Sequence, residues 1–184
     1  MGQEPLWTTR PIAGGGKPWP KPADNPADYK PLAGVRVIDF SRVIAAPAIS
    51  KKLAVLGADV IRISHSGNPD YAATMIDLQT GKRDADLNVK TPEGKQAFIE
   101  LLKGADVLVD GFRPGAFERL GFTSESLREI NPSLIYVREN CYGFKGPLSY
   151  RSGWQQVSDC LVGISYLQGK FLGLEEAVLP LFRK

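Results

Sequence analysis

Val35-Arg36-Val37-Ile38-Asp39 and, further on, Asp59-Val60-Ile61-Arg62-Ile63 are short runs rich in β-branched residues, and the helical pattern Ala48 to Leu56, closed by Gly57, lies between them. Apolar runs of this length read as strands covered on both faces, and a glycine just past a helix offers the left-handed residue that ends it. Strand, helix and strand in that order predict a parallel pair joined by a crossover helix. The alternation continues downstream. Residues 67–81 show no clear period, Arg83 to Leu87 reads as a short strand, and Thr91-Pro92 opens a helix with a cap and a first-turn proline. That helix sets Phe98, Leu101 and Leu102 on one stripe, ends at Gly104 and leads into the strand Asp106 to Asp110. A brief helix from Pro114 to Leu120 stops at Gly121, Thr123 caps another through Ile130, and Leu134 to Val137 forms a strand. Trp154, Val157, Leu161 and Ile164 then predict a last amphipathic helix ended by Gly169. The class is α/β, an open parallel sheet with crossover helices.

Ahead of this pattern, residues 1–33 hold seven of the chain's 14 prolines and the triplet Gly14-Gly15-Gly16, so they read as an arm or linker, with 34–182 as the domain. Trp7 and Trp19 are costly to leave in water and predict that the arm lies along a surface. The 184 residues carry 23 Lys+Arg against 20 Asp+Glu, a net charge of +3, too small and too evenly spread to indicate a nucleic-acid or membrane surface. One histidine and two cysteines in no zinc spacing leave no expected metal site, and the two thiols fit a reducing, cytoplasmic setting. No run approaches the roughly 18 apolar residues of a membrane span.

Open parallel sheets bind ligands outside the carboxyl ends of their strands, which directs attention to residues 41–47, 64–70, 111–115 and 139–152. No G-x-G-x-x-G follows the first strand, and neither a P-loop nor a G-x-S-x-G elbow is present. Cations do gather near the expected strand ends: Arg42, Arg62, His65, Lys82, Arg83, Arg113 and Arg119. Converging on one crevice, they would suit a multiply phosphorylated ligand. Taken singly, His65 reads as a loop residue, and Cys141 and Cys160 as packing residues.

The stretch Pro31 to Val43, then Leu56 to Ile63, Gly81-Lys82-Arg83, Leu87 to Gly94, Ala105 to Val109, Phe112 to Gly121, Asn131-Pro132 and Tyr142 to Pro147, in that order, resembles the class III CoA-transferases of the CaiB/BaiF group. The Trp-Pro pairs of the leader resemble the linker of fungal two-copy members. The resemblance implies a Rossmann-like half that binds coenzyme A or acyl-CoA as substrate, in subunits that interlock as a homodimer or with a complementary half. It places the ligand along Val43, Ile44 and Ala45, His65, Lys82, Arg83, Phe112 and Arg119. It also implies an aspartate that attacks the acyl-CoA, and at the corresponding place this chain has Gln155, an amide. Asp159, one helical turn on, is the nearest carboxylate and the candidate replacement. The implied activity is transfer of CoA from a small acyl-CoA, such as acetyl-CoA, to a carboxylate acceptor, with an accessory or secondary-metabolite pathway as its setting. An acyl-CoA racemase or epimerase and a non-catalytic CoA-binding fragment are the alternatives. Family members are roughly twice as long, so a truncated chain lacking the small second domain is expected, ending at Leu179 to Lys184.

Overall fold

The structure is a computed structural model that describes residues 5, 7–11, 16–21 and 29–174. Five strands, β1 (Arg36–Phe40), β2 (Asp59–Ser64), β3 (Lys82–Asp86), β4 (Val107–Asp110) and β5 (Ile135–Arg138), form one sheet in the order β3-β2-β1-β4-β5. Every pairing is parallel, with Ile38 opposite both Ile61 and Leu108 across the centre. This is the expected α/β open sheet. All four residues of β4 and the last four of β1 are buried, which is why both are mainly apolar, with Asp39 and Asp110 as the buried exceptions.

Helices cover both faces. On one side α1 (Ala45–Val55) packs over Val35, Val37, Val60, Val107 and Val109. It begins three residues before the expected Ala48, with Pro47 accommodated in its first turn, where no amide partner is missed. Gly57, at φ +100°, ends it as expected. On the other side α3 (Pro92–Gly104) and α4 (Ser124–Ile130) enclose Phe40, Phe98, Leu102, Leu108, Phe117, Phe122 and Leu127. Phe98 sits at the middle of this layer, its ring centroid 5.2 Å from those of Phe40 and Phe122. Burying each such ring contributes about 1.5–3 kcal/mol before the entropy of ordering is set against it. Both predicted caps form: Thr91 Oγ1 accepts from the Gly94 amide at 3.1 Å, and Thr123 and Ser126 make a reciprocal capping box.

Three expectations need correction. The stretch with no period, 67–81, contains α2 (Ala72–Leu78), whose one buried residue is Leu78; a helix so little covered has no apolar stripe to read. The Pro114 to Leu120 helix is a run of turns with one 3₁₀ turn, Glu118–Leu120. The last amphipathic helix is two helices, α5 (Gln155–Leu161) and α6 (Ile164–Phe171), broken at Gly163 with φ +80°. Trp154, Val157, Leu161 and Ile164, the predicted buried stripe, are all exposed, while Asp159, Ser165 and Gly169 are covered. Gly169 therefore lies inside α6 rather than at its end, and α5 and α6 pack chiefly on each other.

Two of the arm's described residues anchor it: the Lys17 amide donates to Ser133 Oγ and its ammonium pairs with the buried carboxylate of Asp106, and Leu32 packs on the core beneath α1 while its amide donates to the Leu56 carbonyl at 3.0 Å. Trp7 and Trp19 remain exposed, so the aromatic burial expected of them does not hold the arm. The expected end at Leu179 to Lys184 lies outside the described residues. No helix among the described residues is long and apolar enough to cross a membrane.

Candidate functional site

Because β2 and β4 flank β1, the chain leaves the carboxyl ends of β1 and β4 in opposite directions, and a crevice must open between them. A cavity of about 1710 Å³ lies there, above the roughly 300–1,000 Å³ usual for small-ligand pockets. Its walls come from the segments after each strand and from residues 151–158 at the start of α5. Gly111 makes the floor possible. A Cβ there would lie 2.5 Å from Ala46 Cβ and 2.9 Å from Ser41 Cβ.

Six of the residues singled out from the sequence come together on this wall: Val43, Ile44, Ala45, His65, Phe112 and Arg119. Phe112 is held by its own backbone, since Asp110 Oδ1 accepts the Phe112 amide at 2.9 Å while Asp110 Oδ2 accepts the Tyr136 hydroxyl at 2.7 Å. Asp110 is buried, and that burial raises its carboxyl above the usual range against the pull of Tyr136, the Phe112 amide and Arg138. Burial likewise pushes the Tyr136 phenol far up, with the neighbouring Asp110 adding to the shift. His65 Nδ1 stands 3.4 Å from Asp86 Oδ1. Hydrogen bonds from Ser66 are the main cause holding the Asp86 carboxyl below its usual range.

The wall's charge is mixed but unevenly paired. Arg62, almost fully buried, donates to Asp70 at 2.9 Å and to Asp84 at 2.8 Å, so those two carboxylates are already engaged. Arg42 binds Asn68 and the Pro69 carbonyl, Arg113 donates to Ser152 Oγ at 3.1 Å, and Arg119, Lys90 and Arg151 line the cavity too. No described carboxylate forms an ion pair with any of these five cations. A cavity with this surplus of donors favours an anionic ligand. Asp86, whose neighbour is His65, and Glu139 are wall carboxylates with no lysine or arginine partner among the described residues; Glu139 is half-buried, and its carboxyl is raised by burial alone.

The other expected residues lie elsewhere. Lys82 and Arg83 open β3 at the amino end of the sheet, away from the crevice on which the cations were expected to converge. The Lys82 side chain is fully buried, its ammonium 2.7 Å from Asp39 Oδ2 and 2.9 Å from the Pro47 carbonyl, and Ser50 donates to the same carboxylate at 2.6 Å. Burial lowers the Lys82 pKa while Asp39 pulls it back up. Arg83 is bidentate on Asp59, the first residue of β2. Gln155 opens α5 between Trp154 and Gln156, both on the wall. Asp159 is buried, is absent from the wall, and leaves its Oδ2 without a hydrogen-bond partner. Cys141 lines the cavity with its Sγ 2.8 Å from Ser158 Oγ, and no group of three or more His, Cys, Asp or Glu among the described residues could hold a metal. Asp70, Asp110 and Glu139 escaped the sequence reading; an isolated carboxylate in a loop or at a strand end carries no spacing signal.

Comparison with known proteins meets this geometry from outside. Acetyl-coenzyme A transferase nodX of Hypoxylon pulicicidum is 42% identical over 167 residues, covering 88% of this chain and 28% of that protein. The succinyl-CoA–L-malate CoA-transferase beta subunit of Chloroflexus aurantiacus is 39% identical over 158 residues, covering 79% and 39%. Among solved structures, a CAIB/BAIF family protein from Brucella suis superposes with a TM-score of 0.69 at 30% identity, covering 74% of this chain and 40% of that one. The chain thus spans well under half the length of these relatives. The family model described as CoA-transferase family III matches residues 32–177, which takes in all five strands and every wall of the cavity. With sheet order, cavity position and sequence in agreement, the chain belongs to CoA-transferase family III.

Proposed function

We propose that this chain is the coenzyme A-binding part of a CoA-transferase that moves CoA from a small acyl-CoA, acetyl-CoA or similar, to a carboxylate acceptor. The observation that carries the reading is the cavity at the strand ends, where Val43, Ile44, Ala45, His65, Phe112 and Arg119 share a wall with cations that no described carboxylate pairs. A phosphate-bearing ligand matches that surplus, and Phe112 and Trp154 offer apolar surface beside it. The names of the relatives support acyl-CoA chemistry, and nodX supports the acetyl group in particular. Two free thiols fit a reducing, cytoplasmic setting.

Transfer in such a site would proceed by attack of an enzyme carboxylate on the thioester, giving a mixed anhydride and CoA thiolate. The thiolate then attacks the enzyme-side carbonyl, releasing the donor carboxylate and leaving an enzyme thioester. The acceptor carboxylate repeats the two steps in reverse to leave as acyl-CoA, with the enzyme carboxylate restored. Asp159 is the sequence's candidate for that carboxylate, yet its side chain is buried off the wall. This placement favours a second reading, in which the chain binds CoA and turnover requires a second copy or a complementary polypeptide. Lys82 and Arg83 are left out of the ligand site on the same geometric ground.

Calorimetric titration with CoA and acetyl-CoA tests the proposal. Saturable binding that weakens about tenfold in Arg119→Ala supports it, tenfold being the scale of one charge-assisted hydrogen bond. A folded chain that takes up neither ligand overturns it. Acyl exchange measured on the same sample, with and without Asp159→Asn, separates the two readings: exchange lost in the variant supports Asp159, and binding without exchange supports the second.

A further inference from the structure

We infer that Asp70 is a positioning residue that clamps the segment between β1 and α1 in a strained shape, so that the backbone of residues 43–45 faces the ligand cavity. The inference rests on the CoA reading for its ligand, but its structural basis stands by itself. Among the described residues Val43 is the one non-glycine with positive φ, at +72°. A β-branched residue does not choose the left-handed region, because its Cβ crowds the following carbonyl; something outside the residue must hold it there.

The holder is visible. The Val43 amide donates to both oxygens of Asp70, at 3.1 and 3.4 Å, and Asp70 is fixed in turn by the Tyr71 amide at 2.8 Å and Arg62 Nη2 at 2.9 Å. Asp70 and Arg62 have side chains only 3% and 4% exposed. Next door, Arg42 reaches Asn68 Oδ1 at 3.0 Å and the Pro69 carbonyl at 2.6 Å. Two consecutive residues after β1 are thus stitched to three consecutive residues after β2. The segment cannot be steadied from its own helix, because Ile44 sits at the N-cap of α1 and supplies no side-chain cap. Asp70 is a poor direct ligand for an anionic cofactor, since its charge already faces Arg62. Its effect on binding is therefore indirect, through the orientation it imposes on Val43, Ile44 and Ala45.

Glycine separates this role from a general structural one. It populates positive φ about as readily as negative φ, so a glycine at position 43 needs the clamp far less than valine does. The test is a cycle of Asp70→Ala, Val43→Gly and the double variant in the full chain, reading CoA affinity by calorimetry and the unliganded thermal midpoint. Asp70→Ala is expected to weaken CoA about tenfold or more and to lower the midpoint in the Val43 background. In the Val43→Gly background the same substitution should cost no more than about threefold in affinity, with a correspondingly smaller midpoint shift. Equal losses in both backgrounds overturn the clamp. If Asp70→Ala does not fold, the double variant with Val43→Gly decides: glycine needs no clamp, so the double variant should fold, and its failure to fold as well would overturn the clamp. Should the wild-type chain bind no CoA, the ligand reading fails, while the midpoint cycle still decides whether Asp70 holds Val43.

Discussion

Phe98 and Phe171 are the same side chain on the apolar stripes of two helices, yet Phe98 in α3 is 0% exposed and Phe171 in α6 is 88% exposed. Around Phe98, residues 35–138 form a layered unit in which α1, α3 and α4 bury apolar faces on the two sides of the sheet. Around Phe171, the pair α5 and α6 keeps Trp154, Val157, Leu161, Ile164, Leu167 and Leu172 in solvent as well. Periodicity announces that a face is apolar. It does not say what covers it.

Truncating the two phenylalanines should widen this contrast most. Phe98→Ala should lower unfolding free energy by about 3–5 kcal/mol in urea denaturation, a large share of the roughly 5–15 kcal/mol common for a domain, whereas Phe171→Ala should stay within about 0.5 kcal/mol. An equal cost for both would mean that α6 is buried in solution. The second test compares two cations that the sequence placed together. Lys82→Ala leaves Asp39 buried without its ion-pair partner and should cost about 3–5 kcal/mol, while Arg119→Ala, on the exposed wall, should leave stability nearly unchanged and act on CoA affinity alone.

A face as apolar as that of α5 and α6 should also drive association. Light scattering is expected to show dimers or larger species that shift toward monomer when Leu167 and Phe171 are replaced by serine, and a clean wild-type monomer would contradict this. The smallest effect concerns pH. Burial raises the Glu139 carboxyl, so the folded chain holds a proton that the unfolded chain has already released. Glu139 therefore favours the fold below the ordinary carboxylate range, and this contribution is lost as pH rises through its raised folded value. Glu139→Gln should flatten that slope in thermal melts from pH 4 to 8 without abolishing it, because Asp110 is raised in the same direction.

The same contrast explains how far the sequence could be read. β1, α3 and α4 were legible because Val37, Thr91, Phe98 and Thr123 each report a local requirement, a covered face or a cap, that the fold satisfies within the described residues. α2 was not, since a helix with one buried residue leaves no stripe, and the α5–α6 break was not, since four apolar positions at helical spacing outweighed one glycine. Within the site, Val43 to Ala45, His65, Phe112 and Arg119 followed from position after a strand and from the family resemblance. Lys82 misled because a cation beside a strand suggests a ligand, whereas its side chain reaches the buried Asp39 carboxylate instead. Asp70 was invisible because its partner is the amide of Val43, and nothing in the letter V announces a left-handed backbone.

The placement of β1 in mid-sheet has a further consequence for a chain emerging from the ribosome. One neighbour, β2, follows promptly, but the other is β4, and even the Asp106 carboxylate that receives the Arg36 amide is 70 residues distant. Until that length has been synthesised, this central strand has an open edge with bare amides and carbonyls beside Val37 and Ile38. Closing so long a loop is slow, and an apolar edge waiting for it can pair with another nascent copy instead. Yield on expression should thus depend on how soon β4 emerges from the ribosome, and a pause that holds β4 inside while β1 and β2 are already outside would be more damaging than one placed after β4 has emerged.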